Sequence, residues 1–379
     1  MNKGYRWESE TLHFDGDEFY RALIKEMDGA RKSIDMEVYT FEEGVLAARL
    51  LDCFERATKR GVAVRLISDH WGSPLLGEGL APRMEAAGVR VHLYRTLPWR
   101  PLLLWKRKNR GPFLQQLGFF WRSFTRLNRG FHRKVTILDG DSAWVSSFNV
   151  TDVHLREVHN DNAWRDIGVR LQGPEVLLFC LAFERTFFRR RTPRDRNLEQ
   201  HDLVHLNDSF WMRRKMNYAL KRRIRNARSR IWIQNPYFLP ERGLMRALYR
   251  QAKRGIDVRV MIPEKNDQEV IRWMNYGILV KLLKSGASVW QFHPAFAHKK
   301  ILLVDDQISV GSTNLNHRSF LHDLEVEVML SHDDSHRAVE NSFLEDQTHS
   351  SPLLFTDLER KPLWFRILSR ILFFFRYWC

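Results

Sequence analysis

The sequence predicts an α/β protein made of two similar halves, each a mixed, mostly parallel sheet flanked by helices. Three observations carry this prediction. Two stretches far apart in the chain repeat the same order of helical and strand-like segments. Within each copy an apolar strand is followed by a helix and then by a second apolar strand. A chain of 379 residues with 44% apolar side chains is long enough for two cores and too apolar for a disordered protein.

The repeat is readable residue by residue. KRGVAVRLI at 59–67 matches KRGIDVRVM at 253–261. Upstream, ARKSIDM at 30–36 matches ARSRIWI at 227–233; downstream, AGVRV at 87–91 matches SGASV at 285–289. The first strand of each copy is expected at 34–40 and 231–236, and the helix after it at 44–59 and 243–253. Gly61 and Gly255 stand where a left-handed helix C-cap is needed. The second strand follows at 62–68 and 256–262. Strand, helix and strand at this length read as a right-handed crossover between parallel strands. The polar, proline-containing stretch 189–202 has linker composition. The expected units are therefore 1–190, 203–345 and a tail at 360–379.

The copies differ in one place. Gly88 and His132 are 44 positions apart, whereas Gly286 and His298 are 12 apart. The first half thus carries an insert of about 32 residues near 97–130, directly before its most suggestive motif.

Charge is concentrated there and in the tail. Lys and Arg number 61 against 45 Asp and Glu, a formal net charge of +16, which favours anionic partners. Residues 98–130 hold eight basic side chains and no acid, and residues 360–379 hold five and no acid. Both segments are rich in aromatics. Trp105, Lys106, Arg107 and Trp121 in the insert, and Trp364, Arg366, Arg370 and Trp378 in the tail, form the basic-aromatic pattern of a membrane interface. The competing reading is a core helix with solvated basic flanks. The tail is too short and too charged to span a bilayer, and no uncharged apolar run reaches about 18 residues. The polar first ten residues give no expectation of a signal peptide. Three scattered cysteines exclude a disulfide framework or a zinc site, and no metal or cofactor is expected.

The chemistry lies in a duplicated motif. His132, Lys134 and Asp139 are followed by Ser146-Ser147-Phe148-Asn149; His298, Lys300 and Asp305 are followed by Gly311-Ser312-Thr313-Asn314. Each is His-x-Lys-x4-Asp, then a pair of small residues and Asn. The apolar run between Lys and Asp reads as a strand, so His and Lys, two apart, point the same way. One such histidine would be read as a core imidazole; two in equivalent positions would not. Two facing imidazoles offer a nucleophile and a general acid. A histidine nitrogen can attack a phosphodiester phosphorus while the opposite imidazole protonates the leaving oxygen. Two lysines and two asparagines supply positive and donating groups to the non-bridging oxygens, the task a metal performs in other phosphoryl-transfer sites.

These residues resemble the duplicated motif that marks the phospholipase D superfamily, and the likeness runs over about residues 5–340. Within it the chain is most similar to bacterial cardiolipin synthases of the type without N-terminal membrane spans. EVYTF at 37–41, DHWGS at 69–73, WRDIGVRLQGP at 164–174 and NPYFLP at 235–240 support this. The resemblance implies a phospholipase D-like duplication with one site between the halves. It also implies transfer of a phosphatidyl group between phosphatidylglycerol molecules through a phosphohistidine, with release of glycerol. By the same resemblance His132, Lys134, Asn149, His298, Lys300 and Asn314 are the catalytic set, supported by Ser147 and Ser312. Asp139 and Asp305, at the far ends of their strands, are expected to be structural. Asp166 and Glu325 are the better candidates to hold the imidazoles. His132 is taken as nucleophile and His298 as acid/base.

The expected partners are anionic phospholipid and the membrane surface, with no nucleic acid; the expected location is peripheral, on the cytoplasmic face of a bacterial membrane. A nuclease of the same superfamily and a non-catalytic membrane scaffold are the alternatives. Aromatic clustering at 119–121 and 373–375 speaks for lipid over nucleic acid. One departure favours the scaffold: Ser146-Ser147 stands where the family has Gly-Gly or Gly-Ser, and a lost glycine could crowd the phosphate or forbid a positive φ. The second motif also has one residue fewer before its small pair, implying a shorter hairpin turn.

Overall fold

A computed structural model describes residues 5–74, 76, 79–94, 129–188 and 201–375. The insert residues Trp105, Lys106, Arg107 and Trp121, and Trp378 of the tail, lie outside them.

The repeat becomes two sheets of the same strand order. In the first half, strands β1 (Ser9–His13), β2 (Ser33–Val38), β3 (Ala63–Asp69), β4 (Arg90–Tyr94), β5 (Val135–Leu138), β6 (Ser142–Ser146) and β7 (Gly168–Gln172) assemble as β1-β7-β6-β5-β2-β3-β4. In the second, β8 (Val204–Leu206), β9 (Arg230–Gln234), β10 (Asp257–Pro263), β11 (Ser288–Phe292), β12 (Ile301–Val304), β13 (Gln307–Gly311) and β14 (Val326–Met329) repeat that order, and β15 (Ser350–Pro352) adds to β11. Among the strands of the two sheets, parallel pairing is confined to β2-β3-β4 and β9-β10-β11. The sheets are mixed, and most strands point one way, but most neighbouring pairs are antiparallel. The reason is local: each motif strand returns through a tight hairpin, so β5 and β12 run against both neighbours.

The helices follow from amphipathic spacing and capping. Helix α1 (Gly16–Gly29) starts where the Asp15 side chain accepts from the backbone N–H of Glu18 at 3.0 Å. Helix α2 (Val45–Lys59) ends before Gly61, whose φ is 84°. Gly255, also at 84°, stands likewise after the crossover helix Arg242–Lys253. Three apolar clusters result. One lies outside each sheet. The third joins the halves, combining inner faces of both sheets with helices Val176–Phe188 and Asp333–Thr348. Trp7 crosses that junction, its indole N–H donating to the carbonyl of Met329 at 3.0 Å. The motif strands β5 and β12 lie mid-sheet, and the segments that enter them bridge to the other half.

Candidate active site

Each histidine and lysine lies in the extended segment just before its motif strand, whose ladder starts one residue after the lysine. The intervening residue points to the opposite side. Arg133 reaches Thr186 and Asp208 at 2.6 and 3.2 Å, and Lys299 reaches Asp346 and Ser342 at 2.5 and 2.8 Å. These buried pairs hold the segments in place, so His and Lys share the other side.

Two short bridges bring the motifs together. Phe131 pairs with Leu324, and Arg165 pairs with Ala297. Each bridge joins the residue before a motif histidine to the residue before a carboxylate of the other half. The imidazoles are therefore held crosswise. His132 Nδ1 is 3.0 Å from Glu325 Oε2, and His298 Nδ1 is 2.8 Å from Asp166 Oδ1. Both carboxylates sit just before β14 and β7 rather than on them. Ser312 Oγ donates to Glu325 and Ser147 Oγ to Asp166, each at 2.5 Å. With Nδ1 occupied, Nε2 is the atom of each ring left for chemistry. That of His132 makes no hydrogen bond among the described residues; that of His298 is 2.9 Å from Lys300 Nζ. Lys134 and Lys300 each donate to the carbonyl of their own histidine at 2.9 Å.

Burial, with few counter-charges, sets the protonation. It pulls Lys134 down to about 7, aided by the charge of Lys300, and Lys300 down to about 8. It lowers His132 well below its ordinary value and His298 to about 3. It lifts Glu325 to about 7 against the pull of Lys134. Burial also works to raise Asp166, but His298 and His154 outweigh it and hold this carboxyl well below its usual range. An anionic phosphodiester entering between the lysines would restore positive charge to the whole set.

Asn149 and Asn314 are both buried. Asn149 Oδ1 accepts from the backbone of Thr40 at 3.3 Å, whereas Asn314 Oδ1 has no partner among the described residues. Asp139 and Asp305 lie elsewhere, at the far strand ends. Asp139, at φ 56°, accepts from the backbone N–H groups of Arg31, Lys32 and Ser33; Asp305, at φ 52°, accepts from those of Arg228, Ser229 and Arg230.

The serine departure is absorbed by the sheet. Gly311 is required, since a Cβ there would meet the carbonyl of Val326 at 2.3 Å. Ser146 takes no positive φ. Its ladder partner is Gly168, whereas Gly311 faces Glu327. The glycine has moved to the other strand of the pair. The turns differ as the spacing implies: three residues join β5 to β6, two join β12 to β13.

Residue spacing did not single out His154. It is fully buried, with Nδ1 2.9 Å from Asp166 Oδ2 and Nε2 accepting from the backbone N–H of Asn149 at 3.1 Å. It lies five residues after Asn149. Five residues after Asn314 is Ser319, which donates to Glu325 Oε1 at 2.6 Å. Aligning the repeat beyond its asparagines would have found both. Tyr237 was likewise unassigned; its ring lies 6.3 Å from that of His298, and its hydroxyl donates to Asp267 at 2.7 Å.

The chain matches the family model described as cardiolipin synthase, PLD-like domain, over residues 23–167 and 220–347. It is 30% identical over 377 residues to the major cardiolipin synthase ClsA of Bacillus subtilis, covering 94% of this chain and 73% of that protein. It is 27% identical to a cardiolipin synthase of Geobacillus thermodenitrificans, covering 94% and 70%. Among solved structures, phosphatidylserine synthase of Haemophilus influenzae superposes with a TM-score of 0.70 at 14% identity, over 98% of this chain and 94% of that one. That likeness speaks for the fold alone. The duplicated sheet order, the paired motifs at the junction and the match in both halves place this chain in the phospholipase D-like cardiolipin synthase family.

Proposed function

We propose that the protein joins two phosphatidylglycerol molecules into cardiolipin and glycerol through a phosphohistidine. The observation that carries this reading is the crossed pair of imidazoles, each held at Nδ1 by a carboxylate of the other half. In the first step His132 Nε2 attacks the phosphorus of one phosphatidylglycerol. The P–O bond to glycerol breaks and His298 protonates the departing oxygen. In the second step His298 takes the proton from the terminal hydroxyl of a second phosphatidylglycerol. That oxygen attacks phosphorus, the P–N bond breaks and His132 is regenerated. The open Nε2 of His132 and the Nε2 of His298, bonded to Lys300, support this order of roles. Lys134, Lys300, Asn149 and Asn314 stabilise the charge that builds on the non-bridging oxygens.

The reading includes peripheral action at the cytoplasmic face of the membrane, where anionic lipid attracts basic segments. No helix among the described residues is long and apolar enough to cross a membrane. The test is lipid mass spectrometry after adding purified protein to phosphatidylglycerol vesicles. Cardiolipin and glycerol in equal amounts support the transfer. Phosphatidic acid alone would replace it with hydrolysis, and cleavage of nucleic acid with intact lipid would overturn it.

A further inference from the structure

The last helix, Leu363–Phe374, has two apolar faces. One is docked: Leu372 and Phe373 pack into the second half's outer core, and the Phe365 ring lies 5.9 Å from Trp273 and 5.5 Å from Tyr276. At 100° per residue, Leu363, Trp364, Ile367, Ile371, Phe374 and Phe375 fall on the opposite arc, and they are 49–80% exposed. A surface helix of a globular domain needs one apolar stripe. A second, contiguous and exposed, is an interaction surface.

Behind the helix a cleft of about 850 Å³ opens toward helices Arg242–Lys253 and Tyr276–Lys284. Arg242, Arg246, Lys281, Lys284, Arg366 and Arg370 line it, against one carboxylate, Glu359. Ser369 lines it too; this serine is 3% exposed and its hydroxyl has no hydrogen-bond partner among the described residues. Apolar surface, a basic rim and an unsatisfied buried hydroxyl together describe a site for an amphiphile with an anionic head.

We infer that the outer face of this helix and the basic cleft behind it dock the protein on an anionic phospholipid bilayer. The apolar arc enters the acyl boundary, and the cleft takes a lipid phosphate with Ser369 donating to it. This site shares no residue with the imidazole pair. It rests on the proposed function only in that the substrate lies in a membrane. The occupant is a bilayer rather than a second copy of the chain, because a copy would bring the same basic rim and a like net charge of +16. The helix packs on Glu269–Met274, which begins two residues after Asp267, the partner of Tyr237. Docking would thus hold the imidazole site beside the lipid surface.

The experiment is cosedimentation of the full chain with phosphatidylcholine vesicles, with and without phosphatidylglycerol. Arg246→Gln/Lys281→Gln/Arg370→Gln should weaken partition onto phosphatidylglycerol vesicles by about a hundredfold, three basic groups' worth of surface attraction. Ile367→Ser/Ile371→Ser should weaken it on both vesicle types. Both variants should turn over a dissolved short-chain phosphatidylglycerol as the parent does. Partition of the charge variant within about twofold of the parent overturns the inference. So does an isoleucine variant that binds vesicles normally but splits a dimer on a sizing column, which would make the face an interface between copies. A protein that binds these vesicles yet makes no cardiolipin overturns the proposed reaction and leaves the docking site standing.

Discussion

Nδ1 of His132 lies 3.0 Å from a carboxylate oxygen of Glu325, a residue 193 positions further along the chain. Asp166 holds His298 in the same way in the opposite direction. Neither motif histidine finds this carboxylate within its own half. Glu325→Gln and Asp166→Asn should therefore each lower kcat by at least ~10²-fold, the low end of a positioned acid/base contribution. The fold should survive, since each amide keeps an oxygen facing the imidazole. Turnover of a soluble substrate, alongside circular dichroism, checks both; near-parent rates would remove the carboxylates from the mechanism.

His132→Ala and His298→Ala should each cost at least ~10²-fold in turnover. Single-turnover mixing with labelled donor should trap a covalent phosphoryl-protein in the parent and none in His132→Ala. Chelation with EDTA should leave the rate unchanged, because Lys134 and Lys300 supply the positive charge at the phosphate. Retention of the label in His132→Ala would move the nucleophile to His298.

The pH profile follows from the lysines. Lys134 and Lys300, drawn down to about 7 and 8, lose their charge as pH rises through those values. The ratio kcat/KM, which reports the free enzyme, should fall on a basic limb between about pH 7 and 8. Arginine stays charged throughout. Lys134→Arg should therefore be slower at neutral pH but lose less of its rate above it. A flat profile from pH 7 to 9 would mean that the lysine charge is not needed.

Much of this was legible in the sequence. The repeat, the crossover glycines Gly61 and Gly255 and the two motifs are local patterns, fixed by spacing along one strand or helix. The crossed pairing was not legible, because spacing places Glu325 after His298 and says nothing of which ring its carboxylate meets. That choice is made by the Phe131–Leu324 and Arg165–Ala297 bridges, which are tertiary contacts. The majority of antiparallel neighbours escaped for a related reason: strand direction was readable, strand adjacency was not. In the tail, composition showed a basic segment rich in aromatics. It did not show that Leu372 and Phe373 pack against the second half.

Asp139 and Asp305 belong to the motif by spacing but bond the strand-entry segments, Asp139 through backbone amides and Asp305 through backbone amides and the Ser229 hydroxyl. Asp139→Ala should lower unfolding free energy by about 1–3 kcal/mol, as three amides lose their acceptor. Its effect on kcat should stay within a few-fold. Both carboxyls are held below the ordinary aspartate value; burial opposes this, and the amide bonds prevail. Their contribution is thus present above about pH 4 and fades as pH falls through the lowered pKa. Urea melts at pH 7 and pH 3 should show the stability difference between parent and variant shrinking at the lower pH.

His154 separates the two carboxylates. Asp166 has imidazoles on both oxygens, whereas Glu325 has His132 on one oxygen, together with Ser312, and Ser319 on the other. Because His154 Nε2 accepts from Asn149, its proton sits on Nδ1 and faces Asp166. That donor helps keep Asp166 ionised, and an ionised Asp166 is what holds the His298 tautomer. His154→Phe fills the space and removes the donor. Asp166 should then bind its proton more readily, so the acid limb of kcat/KM should move to higher pH and turnover at neutral pH should drop by about tenfold. His154→Gln, which can still donate one hydrogen bond, should recover part of both. A purely structural His154 would lower melting temperature without moving the acid limb, and a profile from the Phe variant that overlays the parent's would assign it that role.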